Sequence, residues 1–198
     1  MRKPEDADAL RAASDGAIEP LQLDITQADS IAAALHAVEG ALGDDPLDAL
    51  VNNAGISITG PIELVPIEQL DRQLRVNVTA QVAVTQAFLP RLRQSRGRIV
   101  FIGSETGRMT PPLMGPYSAS KHALEAVANA LRMELYPTGV RVSILEPGSV
   151  RSEIWRKADE QNAAMANDDP RMRELYGREH HGACRGRTSR TSGSDPPV

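Results

Sequence analysis

Apolar residues recur along this chain at two spacings, every second residue and every third or fourth, and the order in which the spacings alternate predicts the elements. Residues 4–13 read as a short helix, with Pro4 in its first turn, Glu5 and Asp6 near its positive end and Asp15-Gly16 as its stop. Residues 18–25 then alternate, with Leu21, Leu23 and Ile25 on one side and Gln22 and Asp24 on the other. That is a strand, and Pro20 is tolerable near its start. Ile31, Leu35, Val38 and Leu42 mark a second helix ended by Gly43, and 47–51 is a short buried strand. A long helix over 67–95 carries Leu70, Leu74, Val78, Phe88 and Leu92 as its stripe, with Pro90 bending or shortening its last turn. The apolar run 98–103 and the segment 140–146 are further strands. Between them Leu124, Val127, Leu131 and Leu135 recur at helical spacing. This alternation predicts an α/β fold of parallel strands with helices on both faces.

The helix before the last strand opens on Tyr117-Ser118-Ala119-Ser120-Lys121, after a Pro/Gly-rich turn over 111–116. Positions four apart share a helix face, with Cβ atoms about 6 Å apart, so the Lys121 ammonium can stand beside the Tyr117 phenol. Lowering a phenol from about 10 to about 7 takes roughly 4 kcal/mol of preference for the phenolate, which a fixed cation in a water-poor site can supply. A phenol tuned in this way passes a proton to or from a carbonyl or alcohol oxygen. Alone the pair is a weak signal, because most such pairs are solvated helix faces.

Its company is more specific. Ser104 stands thirteen residues before Tyr117 and ends the run 98–103; Asn77 lies inside the long helix, and Asn52-Asn53-Ala54-Gly55 closes the strand 47–51. With Pro147-Gly148-Ser149-Val150-Arg151-Ser152 after the last strand, this ordered set resembles the short-chain dehydrogenase/reductase family over residues 2–158. Residues 103–107 and 115–125 resemble its steroid and retinol dehydrogenase branch. The resemblance implies a Rossmann-like, doubly wound parallel sheet that is incomplete here. The family's first two strands and its glycine-rich pyrophosphate loop have no counterpart in these residues, which leaves the strand 47–51 without one neighbour.

The resemblance also implies roles. Ser104 would hydrogen-bond the substrate oxygen, Tyr117 would be the acid/base, Lys121 would depress its pKa and hold the nicotinamide ribose, and Asn77 would bind a water of a proton relay. Asp24 would hold the adenine amino group, although Asp before Thr26 also reads as a turn cap. Asn52, Ala54 and Gly55 would line the cofactor's sugar, while Pro147, Val150 and Ser152 would meet the nicotinamide carboxamide. Arg2 resembles an arginine that meets a 2′-phosphate, so the expected cofactor is NADP ahead of NAD. The implied reaction interconverts a secondary alcohol and a ketone, with an apolar small molecule as substrate. Without the glycine-rich loop, residues 1–198 are expected to bind nicotinamide nucleotide poorly.

Composition changes little. With 198 residues and 41% hydrophobic content the chain has room for one cored domain, and a formal charge of −4 gives no reason to expect nucleic acid. No apolar run reaches a membrane span and the start lacks a signal-peptide core, so a cytoplasmic protein is expected. Cys184 is the one cysteine. Residues 159–176 read as a helical remnant of a substrate lid and 177–198 as a disordered tail rich in Arg, Gly, Ser and Thr. His180, His181 and Cys184 fall short of a closed zinc site, so no metal is expected. Tail and start together suggest a gene model that begins late and ends out of frame. The competing reading is a truncated, non-catalytic remnant that acts through helix-mediated association, and a homo-oligomer is compatible with either.

Overall fold

Three short parallel strands organise the computed structural model, which describes residues 5–148 and, beyond them, 154, 156, 158, 169–172 and 174–176. They are β1 (Ala49–Asn52), β2 (Arg98–Ile102) and β3 (Arg141–Leu145), hydrogen-bonded in the order β1-β2-β3. Asn52 lies opposite Phe101 and Ile102 opposite Leu145, so all three strands end at one level. The helices are α1 (Glu5–Ala13), α2 (Ala28–Leu42), α3 (Ile67–Leu74), α4 (Ala80–Ser95) and α5 (Gly115–Leu135). This is the expected incomplete α/β sheet, with β1 at an edge.

Alternation decides what each strand buries. In β2, Ile99 and Phe101 point to one side and are fully buried, where they meet Leu92 of α4 and Leu124 and Ala128 of α5. Val142 of β3 joins the same cluster, and a second one around Ile31, Val84 and Phe88 seats α2 against α4. The opposite side of the sheet is open among the described residues, with Val51 57% and Leu145 53% exposed.

Two elements depart from the sequence expectation. Residues 18–25 form no strand. Their apolar side is used all the same, since Leu23 and Ile25 pack on the Ile31, Val84 and Phe88 cluster. Alternation reports which side is buried, whereas a ladder also needs a neighbour for the backbone groups, and none lies alongside among the described residues. The long helix over 67–95 is divided by a π-helical turn, Arg75–Thr79, with Asn77 at its centre. Pro90 lies inside α4, which continues to Ser95 and closes on Arg96 in the left-handed region.

Candidate active site

The π-turn belongs to a ladder of polar side chains. Gln73, Asn77, Gln81 and Thr85 recur every four residues on the buried face of α3 and α4, each no more than 1% exposed. Opposite them runs the extended segment after β1. Thr85 Oγ1 accepts from Asn52 Nδ2 at 3.0 Å, and Gln81 Nε2 donates to the Ala54 carbonyl at 2.7 Å. Asn77 accepts from the Ile56 N–H and donates to the Ile56 carbonyl, both at 2.9 Å. Gln73 accepts from the Ile58 N–H at 2.6 Å and donates to the Ile56 carbonyl at 2.9 Å.

The spacing works because four helical residues advance about 6.0 Å and two extended residues about 6.6 Å. Every second residue from 52 to 58 therefore meets a rung. At 3.6 residues per turn each rung drifts about 40° around the helix, and the wider π-turn takes up part of that drift. Side chains thus supply the pairing that a neighbouring strand would otherwise provide, leaving Asn53, Ala54 and Gly55 exposed on the other side.

The ladder also reaches α5. Asn77 Nδ2 donates to Ser120 Oγ at 3.1 Å, and Ser120 Oγ donates to the Tyr117 carbonyl at 2.7 Å. Pro116 sits in the first turn of α5, where its missing N–H costs nothing. Tyr117 and Lys121 share one face and are each 5% exposed. The Lys121 ammonium stands over the Tyr117 ring, 5.6 Å from its centre, and donates to the Ile102 carbonyl at 2.7 Å.

Ser104 follows the end of β2 and caps a single 3-10 turn, Glu105–Gly107. Its Oγ accepts from the Thr106 N–H at 3.3 Å and the Thr106 hydroxyl at 3.0 Å. A hydroxyl has two lone pairs and one proton, so with both lone pairs engaged its O–H points outward, and Ser104 hydrogen-bonds the Tyr117 phenol.

Electrostatics here differ from the expectation that Lys121 depresses the phenol. Burial, favouring the neutral form, pushes the Tyr117 phenol above its ordinary value, and the Ser104 hydrogen bond only partly offsets it. Burial also lowers the Lys121 ammonium to about 8. The cation lies over the ring face and is engaged by the Ile102 carbonyl.

Other expected residues are placed as follows. Asn52 is buried against Thr85, and the Pro147 carbonyl accepts from the Glu105 N–H, which ties the segment after β3 to the Ser104 turn. A Cβ on Gly55 would stand 3.4 Å from Asn77 Oδ1, so this glycine lies directly against the ladder. The Asp24 carboxylate accepts from the Thr26 N–H and hydroxyl, the turn-cap arrangement. Between residues 21–25 and β1 lies a cavity of about 310 Å³ reaching Asn53, Ala54 and Gln81. Val150, Ser152, Arg2 and the tail 177–198 lie outside the described residues. Sequence reasoning missed Gln73, Gln81, Thr85 and Thr106. The four-residue repeat of polar residues within an apolar stripe was the available signal for the first three.

Residues 2–163 match the sequence model described as short chain dehydrogenase. The chain is 42% identical over 163 residues to an NADPH-dependent 3-dehydrocapnine reductase of Ornithobacterium rhinotracheale, covering 80% of this chain and 58% of the relative. It is 37% identical to retinol dehydrogenase 7 of Rattus norvegicus, over 86% of this chain and 55% of that one. A crystal structure of 3-ketoacyl-(acyl-carrier-protein) reductase from Brucella melitensis complexed with NADH matches with a TM-score of 0.73 at 27% identity, covering 78% of this chain and 65% of that chain. The chain therefore spans a little over half the length of these curated relatives.

Proposed function

The chain belongs to the short chain dehydrogenase family, and from that premise we propose that it reduces a ketone to a secondary alcohol, with Tyr117 as the proton donor. The observation that supports this most is the Ser104–Tyr117–Lys121 grouping at the carboxyl ends of parallel strands, where ligands of such sheets bind. A phenol held above its ordinary value is fully protonated at neutral pH. That state suits the reductive direction, in which the ketone oxygen must gain a proton.

Ser104, its lone pairs engaged by Thr106, donates to the same ketone oxygen and fixes its position. Lys121 uses one of its three N–H groups on the Ile102 carbonyl and keeps two for the ribose hydroxyls of a nicotinamide nucleotide. The exposed 53–55 backbone and these donors fit the nicotinamide half of such a cofactor, and NADP is preferred to NAD. When bound, the cofactor supplies the hydride. Asn77, by fixing Ile56 and Ser120, holds the cofactor-side segment and the first turn of α5 in one frame. The substrate is an apolar small-molecule ketone, and the protein works in the cytoplasm; among the described residues no helix is long and apolar enough to cross a membrane.

The test is oxidation of NADPH and of NADH, followed with a panel of apolar ketones. It uses residues 1–198 and the same chain extended upstream by a glycine-rich strand and loop. Turnover in the extended chain, faster with NADPH, is the expected result. A folded extended chain that turns over no ketone with either nucleotide removes the reading.

A further inference from the structure

The structure assigns Arg108 a positioning role: its guanidinium joins Glu125 of α5 to Glu146 after β3 and so holds the Ser104 turn against the face of α5 that carries Tyr117 and Lys121. This deepens the reductase reading and rests on it for its catalytic consequence, though not for its geometry. Arg108 Nη2 and Nε meet the Glu146 carboxylate at 2.7 and 3.1 Å, and Nη2 reaches Glu125 Oε2 at 3.5 Å. One planar fork therefore touches two segments, a geometry an ammonium does not reproduce.

Position gives the ion pairs their meaning. Tyr117, Lys121 and Glu125 follow one another at four-residue intervals, so Glu125 is the next step along the catalytic face of α5. Gly107 lies directly on that face: a Cβ there would stand 3.2 Å from Glu125 Cγ and 3.3 Å from the Lys121 carbonyl. On its other side the turn is tied down by the Glu105 N–H to the Pro147 carbonyl at 3.2 Å. Ser104 thus reaches Tyr117 from a turn wedged between α5 and the end of β3, with Arg108 fastened to both walls.

Exposed ion pairs contribute little stability, and the Arg108 side chain is 64% exposed. The buried partner is what makes the arrangement matter. Glu125 has a side chain only 9% exposed and an Oε1 with no hydrogen-bond partner. Burial and the neighbouring Glu146 raise its pKa, while Arg108, Arg132 and His122 hold it down. Removing Arg108 takes away the cation nearest to two carboxylates, which then repel each other across the turn.

The experiment follows the Tyr117 ring carbon bearing the hydroxyl by NMR at neutral pH, in the full chain labelled at tyrosine and assigned with Tyr117→Phe. Ser104→Ala removes the hydrogen bond and calibrates the shift. Arg108→Ala and Arg108→Lys are expected to move the Tyr117 resonance in the same direction as Ser104→Ala. Where the chain turns over ketone, kcat falls about ten- to hundredfold with KM for the nucleotide unchanged. Arg108→Lys and Glu125→Gln provide the same readout should Arg108→Ala not fold. A Tyr117 resonance that stays put in folded Arg108 variants while Ser104→Ala moves it overturns the inference, as does full rescue by lysine. A shifted resonance in a chain that reduces no ketone upholds the positioning role and counts against the reductase reading alone.

Discussion

Thr106 gives both its backbone N–H and its hydroxyl to the Oγ of Ser104, at 3.3 and 3.0 Å. One residue two positions away thereby occupies both lone pairs of Ser104 and leaves its O–H to donate to a ketone oxygen in the proposed reaction. Thr106→Val keeps the shape and frees one lone pair. Ser104 can then accept from Tyr117 instead. The expected outcome is a kcat about tenfold lower, with Ser104→Ala costing about a hundredfold or more, measured as steady-state ketone reduction. Equal rates for Thr106→Val and the wild type would show that the lone pairs do not matter.

Burial of Lys121 gives the protein a characteristic pH response. Its folded pKa of about 8 lies below the ordinary 10.5, so between these values the unfolded chain binds more protons than the folded one. Stability attributable to this group therefore rises with pH across that window. The full difference is roughly 3 kcal/mol. Tyr117 acts oppositely, because its raised folded pKa removes stability as pH climbs past 10. Urea unfolding at pH 7 and pH 9.5 should show the wild type gaining on Lys121→Met. A wild type that loses ground over that interval contradicts the burial of the ammonium.

The polar ladder has a predicted order of costs. Gln73→Leu strands the Ile58 N–H and removes a bond to Ile56, for roughly 2 to 4 kcal/mol. Gln81→Leu gives up one bond, to Ala54, and also removes a buried Oε1 that has no partner. It should cost about 1 kcal/mol or less. Denaturant midpoints at constant slope check the order, and a costlier Gln81 variant reverses it.

The sequence made much of this legible, and the misses have physical reasons. Strands β1 to β3 are recoverable because each is a short, mostly apolar segment in an alternating order of strand and helix; in β2, Ile99 and Phe101 lie on one face and both are fully buried. Residues 18–25 carry the same alternation and form no strand, because side-chain pattern does not by itself supply a neighbouring strand, and none lies alongside among the described residues. The shared face of Tyr117 and Lys121 was readable from helical spacing, and Ser104 was singled out by the family resemblance. The sign of the Tyr117 shift was not readable, since a helical interval fixes neither where an ammonium points nor how much water the fold excludes. The π-turn escaped notice because a mid-helix Asn is unremarkable on propensity alone; only the partner at Ile56 explains it. Arg108, Glu125 and Glu146 lie up to 38 residues apart, beyond any local pattern.

The proton donor is the centre of the account, and Tyr117→Phe in the upstream-extended chain tests it most directly. The substitution removes a single oxygen from a buried ring. With NADPH and the best ketone of the panel, kcat is expected to fall by about 10³-fold, with nucleotide affinity and melting temperature nearly unchanged. A Tyr117→Phe chain that reduces the ketone at close to the wild-type rate would contradict the account.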